Sequence, residues 1–153
     1  IRRDSRGIAE IWARKEFINL KQCIDAGVHV PHPLNYQGNV VVMEFIGVKG
    51  IPAPRLIDVK ATKADYTIII KAMAMIYKKA ELVHSDLSEY NVMKYDNKIV
   101  LFDFGSAVST RHPSAEEFLK RDVSNINRFF QKRGASIIDN EKLLVRIRGK
   151  KVD

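Results

Sequence analysis

Apolar and polar positions alternate along this chain in segments whose period changes several times. From Ile8 to Ala26 the apolar residues Ile8, Ile11, Trp12, Phe17, Leu20 and Ile24 recur at roughly helical spacing, which predicts a first helix with one buried stripe. Gly27 supplies its stop, and Pro31 and Pro33 prevent continuation. Leu34–Tyr36 and Val40–Phe45 read as two short strands around the turn Gln37-Gly38-Asn39. Gly47 to Pro54 holds two Gly and two Pro and reads as a connector between a small lobe and a larger helical one.

A second helix is expected over Ala64–Ala80, with Ile69, Met73, Ile76 and Ala80 on one face. The stretch Val83–Val92 reads as a loop running into a short strand, and Ile99–Phe102 as its partner across the turn Asp96-Asn97. Ser114-Ala115-Glu116-Glu117 has the form of a capping box, in which hydroxyl and carboxylate satisfy exposed N–H groups at a helix start. Leu119, Ile126 and Phe130 would line the inner face of that third helix, and Gly134 would end it. A short basic helix over Asn140–Arg148 closes the pattern, with no internal repeat.

Composition narrows the class. With 153 residues, 46% hydrophobic and 29% charged, the chain is sized for one folded domain and is not disordered in character. No apolar run approaches the roughly 18 residues of a membrane span, and the first residues lack the apolar stretch of a secretory signal. Cys23 has no second cysteine to pair with, consistent with a reducing, cytoplasmic setting. The formal net charge of +8 favours polyanionic partners such as RNA or nucleotide phosphates, the plainer alternative being cations that only solvate the surface. The tail cluster Lys142, Arg146, Arg148, Lys150, Lys151 suits a nucleic-acid-facing extension.

The chemistry is concentrated in two stretches. His84-Ser85-Asp86-Leu87-Ser88-Glu89-Tyr90-Asn91 has the pattern H-x-D-x-x-x-x-N, and Asp103-Phe104-Gly105 reads D-F-G. They flank a predicted strand–turn–strand, where a protein kinase carries its catalytic loop and its magnesium-binding Asp. Phosphoryl transfer demands an aligned acceptor and cations that neutralise spreading charge, with little covalent work from the protein. Asp86 would orient and deprotonate the acceptor, while Asn91 and Asp103 offer the hard oxygens that Mg²⁺ prefers. Gly105 is expected to allow a sharp turn after the metal ligand. His84 reads as a support for the loop rather than a base, and Tyr90 as packing. Asp122 either braces the catalytic loop by accepting backbone hydrogen bonds or is a solvated charge.

These stretches resemble the RIO family of atypical kinases. Leu82 through Asn91 is similar to the catalytic loop of its type-one branch, the archaeal kind included, with Ser85 where ordinary kinases have Arg. Ile11 through Leu20 resembles that branch's αC helix, Val42 through Gly47 its hinge, and Arg111-His112-Pro113 through Phe130 its closing helix. The resemblance implies a protein-kinase-like α+β fold. Residues 1–46 would form a partial N-lobe of one αC-like helix and two strands, and residues 47–153 a mostly helical C-lobe. It implies an ATP-dependent Ser/Thr kinase or ATPase using ATP and Mg²⁺. Asp86 would be the base, Asn91 and Asp103 the metal ligands, and Asp103 also an acceptor of phosphate as an aspartyl-phosphate. Glu16 corresponds to the carboxylate that pairs with the ATP-binding Lys, Met43 to the gatekeeper, and Glu44 and Ile46 to the backbone that meets adenine.

The family's role in small-ribosomal-subunit maturation implies pre-ribosomal RNA as a partner and no membrane. No A-P-E follows D-F-G, and the D-F-G itself differs from the D-M-G or D-V-S of the branch. Neither a Gly-rich phosphate loop nor its strand Lys occurs in these residues, so the chain is expected to lack N-terminal strands of the family, with residues 1–7 matching the loop before αC. That departure leaves a second reading open, a scaffold that holds nucleotide or RNA without turnover. A kinase subunit of a tRNA-modification assembly fits the helix around Glu16 and the hinge less well.

Overall fold

The computed structural model describes residues 5–149. Helix α1 spans Ser5–Asp25 and ends at Gly27, whose φ of +83° is the left-handed conformation that a glycine adopts without penalty. The antiparallel hairpin β1 (Pro33–Gln37) and β2 (Val40–Met43) follows, with Gln37 opposite Val40, and packs against α1. The expected stripe of α1 is corrected. Its buried residues are Ala13, Asn19, Leu20 and Cys23, whereas Ile8, Ile11 and Trp12 are 44%, 65% and 59% exposed. Leu20 and Cys23 in its C-terminal half join the main core, whereas Ile8, Ile11 and Trp12 in its first half stay largely exposed among the described residues. Val40 and Val42 are likewise exposed, and β2 pairs with β1 alone among the described residues.

The expected connector over Gly47–Pro54 is a small hairpin instead, β3 (Gly47–Val48) against β4 (Ile51–Pro52). Lys49 and Gly50 at its tip both have positive φ, 50° and 77°, the pairing that matches the twist of a two-residue turn. A 3-10 turn at Leu56–Asp58 leads to α2 (Lys63–Met75). Its start is a reciprocal capping box: Thr62 Oγ1 accepts the Asp65 N–H at 3.2 Å and Asp65 Oδ2 accepts the Thr62 N–H at 2.9 Å. The helix widens into a π turn over Ile76–Ala80 and stops at Glu81, which is left-handed with φ 55°. Ile69, Met73, Ile76 and Ala80 are all buried, as the spacing predicts.

Strand β5 (Leu82–Val83) pairs with β8 (Val108–Ser109), and β6 (Val92–Tyr95) pairs with β7 (Lys98–Leu101) around Asp96 and Asn97, both of positive φ. Helix α3 spans Ala115–Lys132 and α4 Asn140–Arg148. The capping box expected at Ser114 is absent. Ser114 has ψ 7° rather than an extended backbone, its side chain makes no cap bond, and its N–H donates to His112 Nδ1 at 3.0 Å. A true N-cap needs the extended conformation to swing its oxygen over the first turn. Leu119, Ile126 and Phe130 are buried as expected, and Gly134 with φ +81° ends the chain's turn out of α3. One apolar core joins Leu20, Cys23, Val28 and Val30 to Ile69, Leu101, Phe104, Phe130 and Leu144. That core carries the loops that hold Asp86, Asn91 and Asp103. Residues 1–4 and the tail cations Lys150 and Lys151 lie outside the described residues.

Candidate active site

Two loops meet at the edge of β6 and β7. In the first, Ser85 has φ +76°, a strained conformation for a residue with a side chain, and three groups on α3 hold it there. Asp122 is 1% exposed and accepts the Ser85 N–H at 2.9 Å and the Leu87 N–H at 3.0 Å, one on each oxygen. The Arg121 guanidinium donates to the Ser85 carbonyl, and Asn125 Nδ2 donates to the Leu87 carbonyl at 3.2 Å. Of the two readings of Asp122, the structure selects the brace. Burial pushes its carboxyl up to about 6, against the downward pull of the two N–H donors and Arg121. The signal for this cluster was present in sequence: polar residues at 121, 122 and 125 sit on a helix whose neighbours Leu119, Val123 and Ile126 face the core.

His84 is buried, and its ring bridges the two loops. Nε2 lies 2.9 Å from the Phe102 carbonyl, which can only accept, so Nε2 carries the proton and Nδ1 accepts the Asp86 N–H at 3.2 Å. Burial lowers its pKa, opposed by the Phe102 carbonyl and the charges of Asp103 and Asp86, so the ring is neutral. It supports the loop, as expected, and is no free base. Asn91 is 6% exposed. Its Nδ2 donates to the Asp86 carbonyl at 2.6 Å, and its Oδ1 accepts the Ser88 N–H at 2.8 Å while keeping a second lone pair. Tyr90 does not pack as expected. It is 54% exposed, with the Arg55 guanidinium 5.6 Å from its ring centre.

The second loop is Asp103-Phe104-Gly105. Phe104 is fully buried edge-on to His84, with ring centres 4.7 Å apart. Its carbonyl accepts from Asn19 Nδ2 at 3.0 Å, a contact that sequence reasoning missed although Asn19 lies one turn from Glu16 on α1. The sharp turn belongs to Asp103, φ 65°, rather than to Gly105, which corrects the expected role of the glycine. A Cβ at Gly105 would lie 3.9 Å from a Glu16 oxygen and 4.0 Å from an Asp103 oxygen, ordinary contacts.

The expected site residues fall into three groups. Glu16, Met43 and Asp103 line one cleft of about 580 Å³, together with Trp12 and Gly105. Asp86 and Asn91 sit beside it: the Phe102 N–H, one residue before Asp103, donates to the Asn91 carbonyl at 3.1 Å, and both Asp86 and Asp103 act electrostatically on His84. Glu44 and Ile46 line a different cleft of about 530 Å³, with His29 and Tyr95. The Glu44 N–H and carboxylate are used on His32, and the Ile46 carbonyl accepts the Ala53 N–H. The Glu44 carbonyl and Ile46 N–H have no partner among the described residues, the acceptor and donor an adenine edge requires.

Asp86 and Asp103 are solvent-exposed carboxylates. Glu16 faces Asp103, and its pKa is raised by burial and then by the Asp103 charge. Two carboxylates with a neighbouring amide oxygen suit a hard divalent cation such as Mg²⁺, so the donor set fits that metal. Among the described residues no group of three His, Cys, Asp or Glu side chains is arranged to hold a metal unaided. That is ordinary for Mg²⁺, which keeps waters and leans on substrate phosphates.

A model of the RIO domain matches residues 1–143. The chain belongs to the RIO family. It is 43% identical over 134 residues to the RIO-type serine/threonine-protein kinase Rio1 of Haloferax volcanii, covering 86% of this chain and 46% of that protein. The Rio1 of Thermoplasma acidophilum is 42% identical over 134 residues, covering 88% of this chain and 71% of the relative. This RIO chain therefore spans about half the length of the first relative and nearly three quarters of the second. Its fold is that of the Rio2 kinase from Chaetomium thermophilum, solved as an ADP/Mg²⁺–phosphoaspartate complex, with TM-score 0.77 and 24% identity over 99% of this chain and 50% of that one. A second structure of that Rio2 kinase gives TM-score 0.74 and 25% identity. The protein-kinase-like α+β fold expected from the motifs is thereby established for the RIO chain.

Proposed function

We propose that this RIO chain carries the catalytic and metal-binding part of an ATP-dependent Ser/Thr phosphotransferase. The observation that carries the reading is the gathering of Asp86, Asn91 and Asp103 around His84 and Phe102, held by α3 on one side and Asn19 on the other. Asp86 projects its carboxylate to solvent while its backbone N–H and carbonyl are clamped by His84 and Asn91. It takes the proton of an acceptor hydroxyl as that oxygen bonds to the γ-phosphorus and the bond to the ADP oxygen breaks. Asn91 Oδ1 and Asp103 would hold Mg²⁺, which supplies charge neutralisation on the transferring group. In the same reading Asp103 also accepts phosphate as an aspartyl-phosphate, Glu44 and Ile46 offer backbone to adenine, and Met43 guards the pocket.

The division into a partial N-lobe through residue 46 and a C-lobe from 47 belongs to this proposal, as do a cytoplasmic setting, checked by fractionation, and pre-ribosomal small-subunit RNA as a partner. The net charge of +8 supports the last. The test is ATP turnover by the purified protein. Asp86→Ala and Asp103→Ala should each reduce it to background, and unchanged turnover in both overturns the reading.

One observation favours a second reading, a scaffold that binds without turnover. Glu16 has no cation partner among the described residues and faces another carboxylate. Mg²⁺-dependent phosphate release from the 153-residue chain itself rules the scaffold out.

A further inference from the structure

Several cations in this fold are consumed internally. Arg55 pairs with Asp58, Lys94 with Asp65, Arg148 with Glu116, Arg121 binds the Ser85 carbonyl, and Arg133 the Ile57 and Val59 carbonyls. A groove of about 480 Å³ between α2 and α4 is different. Lys63, Lys71, Lys78 and Arg146 line it, all exposed, with no carboxylate among the lining residues. None of the four side chains has an ion-pair or hydrogen-bond partner among the described residues. It shares no lining residue with the cleft of Glu16 and Asp103.

The spacing identifies the ligand. Lys63, Thr67, Ile70, Lys71, Ala74 and Lys78 fall on one helical face, so the three lysines form a row. At 1.5 Å per residue, Lys63 and Lys71 are about 12 Å apart along the axis and Lys78 lies roughly 10 Å further. A row of about 22 Å is too long for one phosphate group and suits a chain of them, since a nucleic-acid strand presents a charge about every 3.4 Å of duplex axis. The floor offers no stacking platform. Tyr66 is buried, its hydroxyl donating to Asn127 at 2.6 Å and accepting the Ile138 N–H at 3.0 Å. Contact would therefore run to the phosphates, without reading bases. With no protruding aromatic in the lining, the groove is also poorly suited to a lipid surface.

We propose that the α2–α4 groove binds the phosphodiester backbone of a nucleic-acid strand, independently of base sequence. This deepens the RNA part of the proposed function and rests on that part alone. Four phosphate contacts predict that binding of a fluorescent 20-nucleotide RNA weakens about 50-fold between 50 and 200 mM salt, from a slope near 0.7 per contact. Lys71→Ala combined with Lys78→Ala should lower that slope by about 1.4, leaving only about a 7-fold fall. Lys71→Arg with Lys78→Arg should keep the wild-type slope. Lys120→Ala with Lys132→Ala on α3 removes the same charge elsewhere and should leave the slope unchanged. A DNA strand of the same sequence should behave like the RNA.

Three results would overturn the proposal: equal flattening in the α3 control, complete displacement of the strand by millimolar inorganic phosphate, or groove-dependent binding to phosphatidylserine vesicles in place of strands. Each variant alters only exposed side chains, and an unchanged thermal midpoint verifies folding. Failure of the unaltered protein to bind either strand, with turnover intact, sinks this groove alone. Strand binding as predicted, with turnover unaffected by both Asp86→Ala and Asp103→Ala, sinks the catalytic reading alone.

Discussion

Replacing Asp122 with Ala isolates the brace beneath the loop that carries Asp86. The substitution removes both acceptors at once and leaves the Ser85 and Leu87 N–H groups buried without partners. Each orphaned donor costs about 1–3 kcal/mol, so the loss is about 2–6 kcal/mol before any relief. Relief comes from the buried charge. The carboxyl is raised from 3.8 to about 6 by burial, so folding favours its protonated form. A raised carboxyl contributes stability that is complete below the unfolded value and lost as pH rises through the folded one. The difference is about 3 kcal/mol in full, of which about 1.4 kcal/mol is recovered on going from pH 8 to pH 5. The variant should therefore be destabilised more at pH 5 than at pH 8, by about 1.4 kcal/mol, or about 3–6 °C in midpoint for a chain of this size. Urea and thermal melts of both proteins at the two pH values measure this. A penalty independent of pH, or one below about 1 kcal/mol at pH 5, would refute the assignment of Asp122 as a buried double acceptor.

Three further outcomes follow from particular contacts. Asn19→Ala removes the side-chain donor to the Phe104 carbonyl and should cost about 1–2 kcal/mol in a urea melt, with a loss of nucleotide affinity if Asp103 is thereby loosened. Lys94→Met strips Asp65 of a partner 2.8 Å away. Asp65 is lowered despite its burial, by Lys94 and Thr62, so it stabilises above its unfolded pKa and loses that as pH falls. The variant should lose about 1–3 kcal/mol at pH 7 and less at pH 3. Gly105→Ala should leave the unfolding free energy within about 0.5 kcal/mol of wild type in a thermal melt, because the added methyl meets nothing closer than 3.9 Å. A large loss there would mean that the glycine carries backbone strain after all.

Legibility of the fold followed the reach of each interaction. Spacing within one element identified the buried faces of α2 and α3 correctly, because Ile69, Met73, Leu119 and Ile126 all meet the single core. The same reasoning failed for α1, where Ile11 and Trp12 have helical spacing yet face solvent in the described residues. Periodicity reports which residues could be buried, and only tertiary contacts decide whether a partner is there. The capping box was misplaced for a related reason. Ser114 has the right side chain and the wrong backbone, while Thr62 and Asp65 have both.

The site was legible as a motif but not as a support system. Asp86, Asn91 and Asp103 stand out by spacing, whereas Asn19 and Arg121 act through backbone carbonyls 85 and 36 residues away, which no local pattern encodes. The left-handed φ of Asp103 was assigned to Gly105 because glycine is the usual host of that conformation. Clamping by the packed Phe104 and His84 pins this segment instead.

The most direct measurement is a crystal structure of the protein grown with ADP and Mg²⁺. It should hold a metal within about 2.0–2.1 Å of an Asp103 oxygen and of Asn91 Oδ1, with the Asp86 carboxylate turned toward the terminal phosphate. A metal and nucleotide seated away from these three side chains, or a bound metal that Asn91 Oδ1 does not reach, would contradict it.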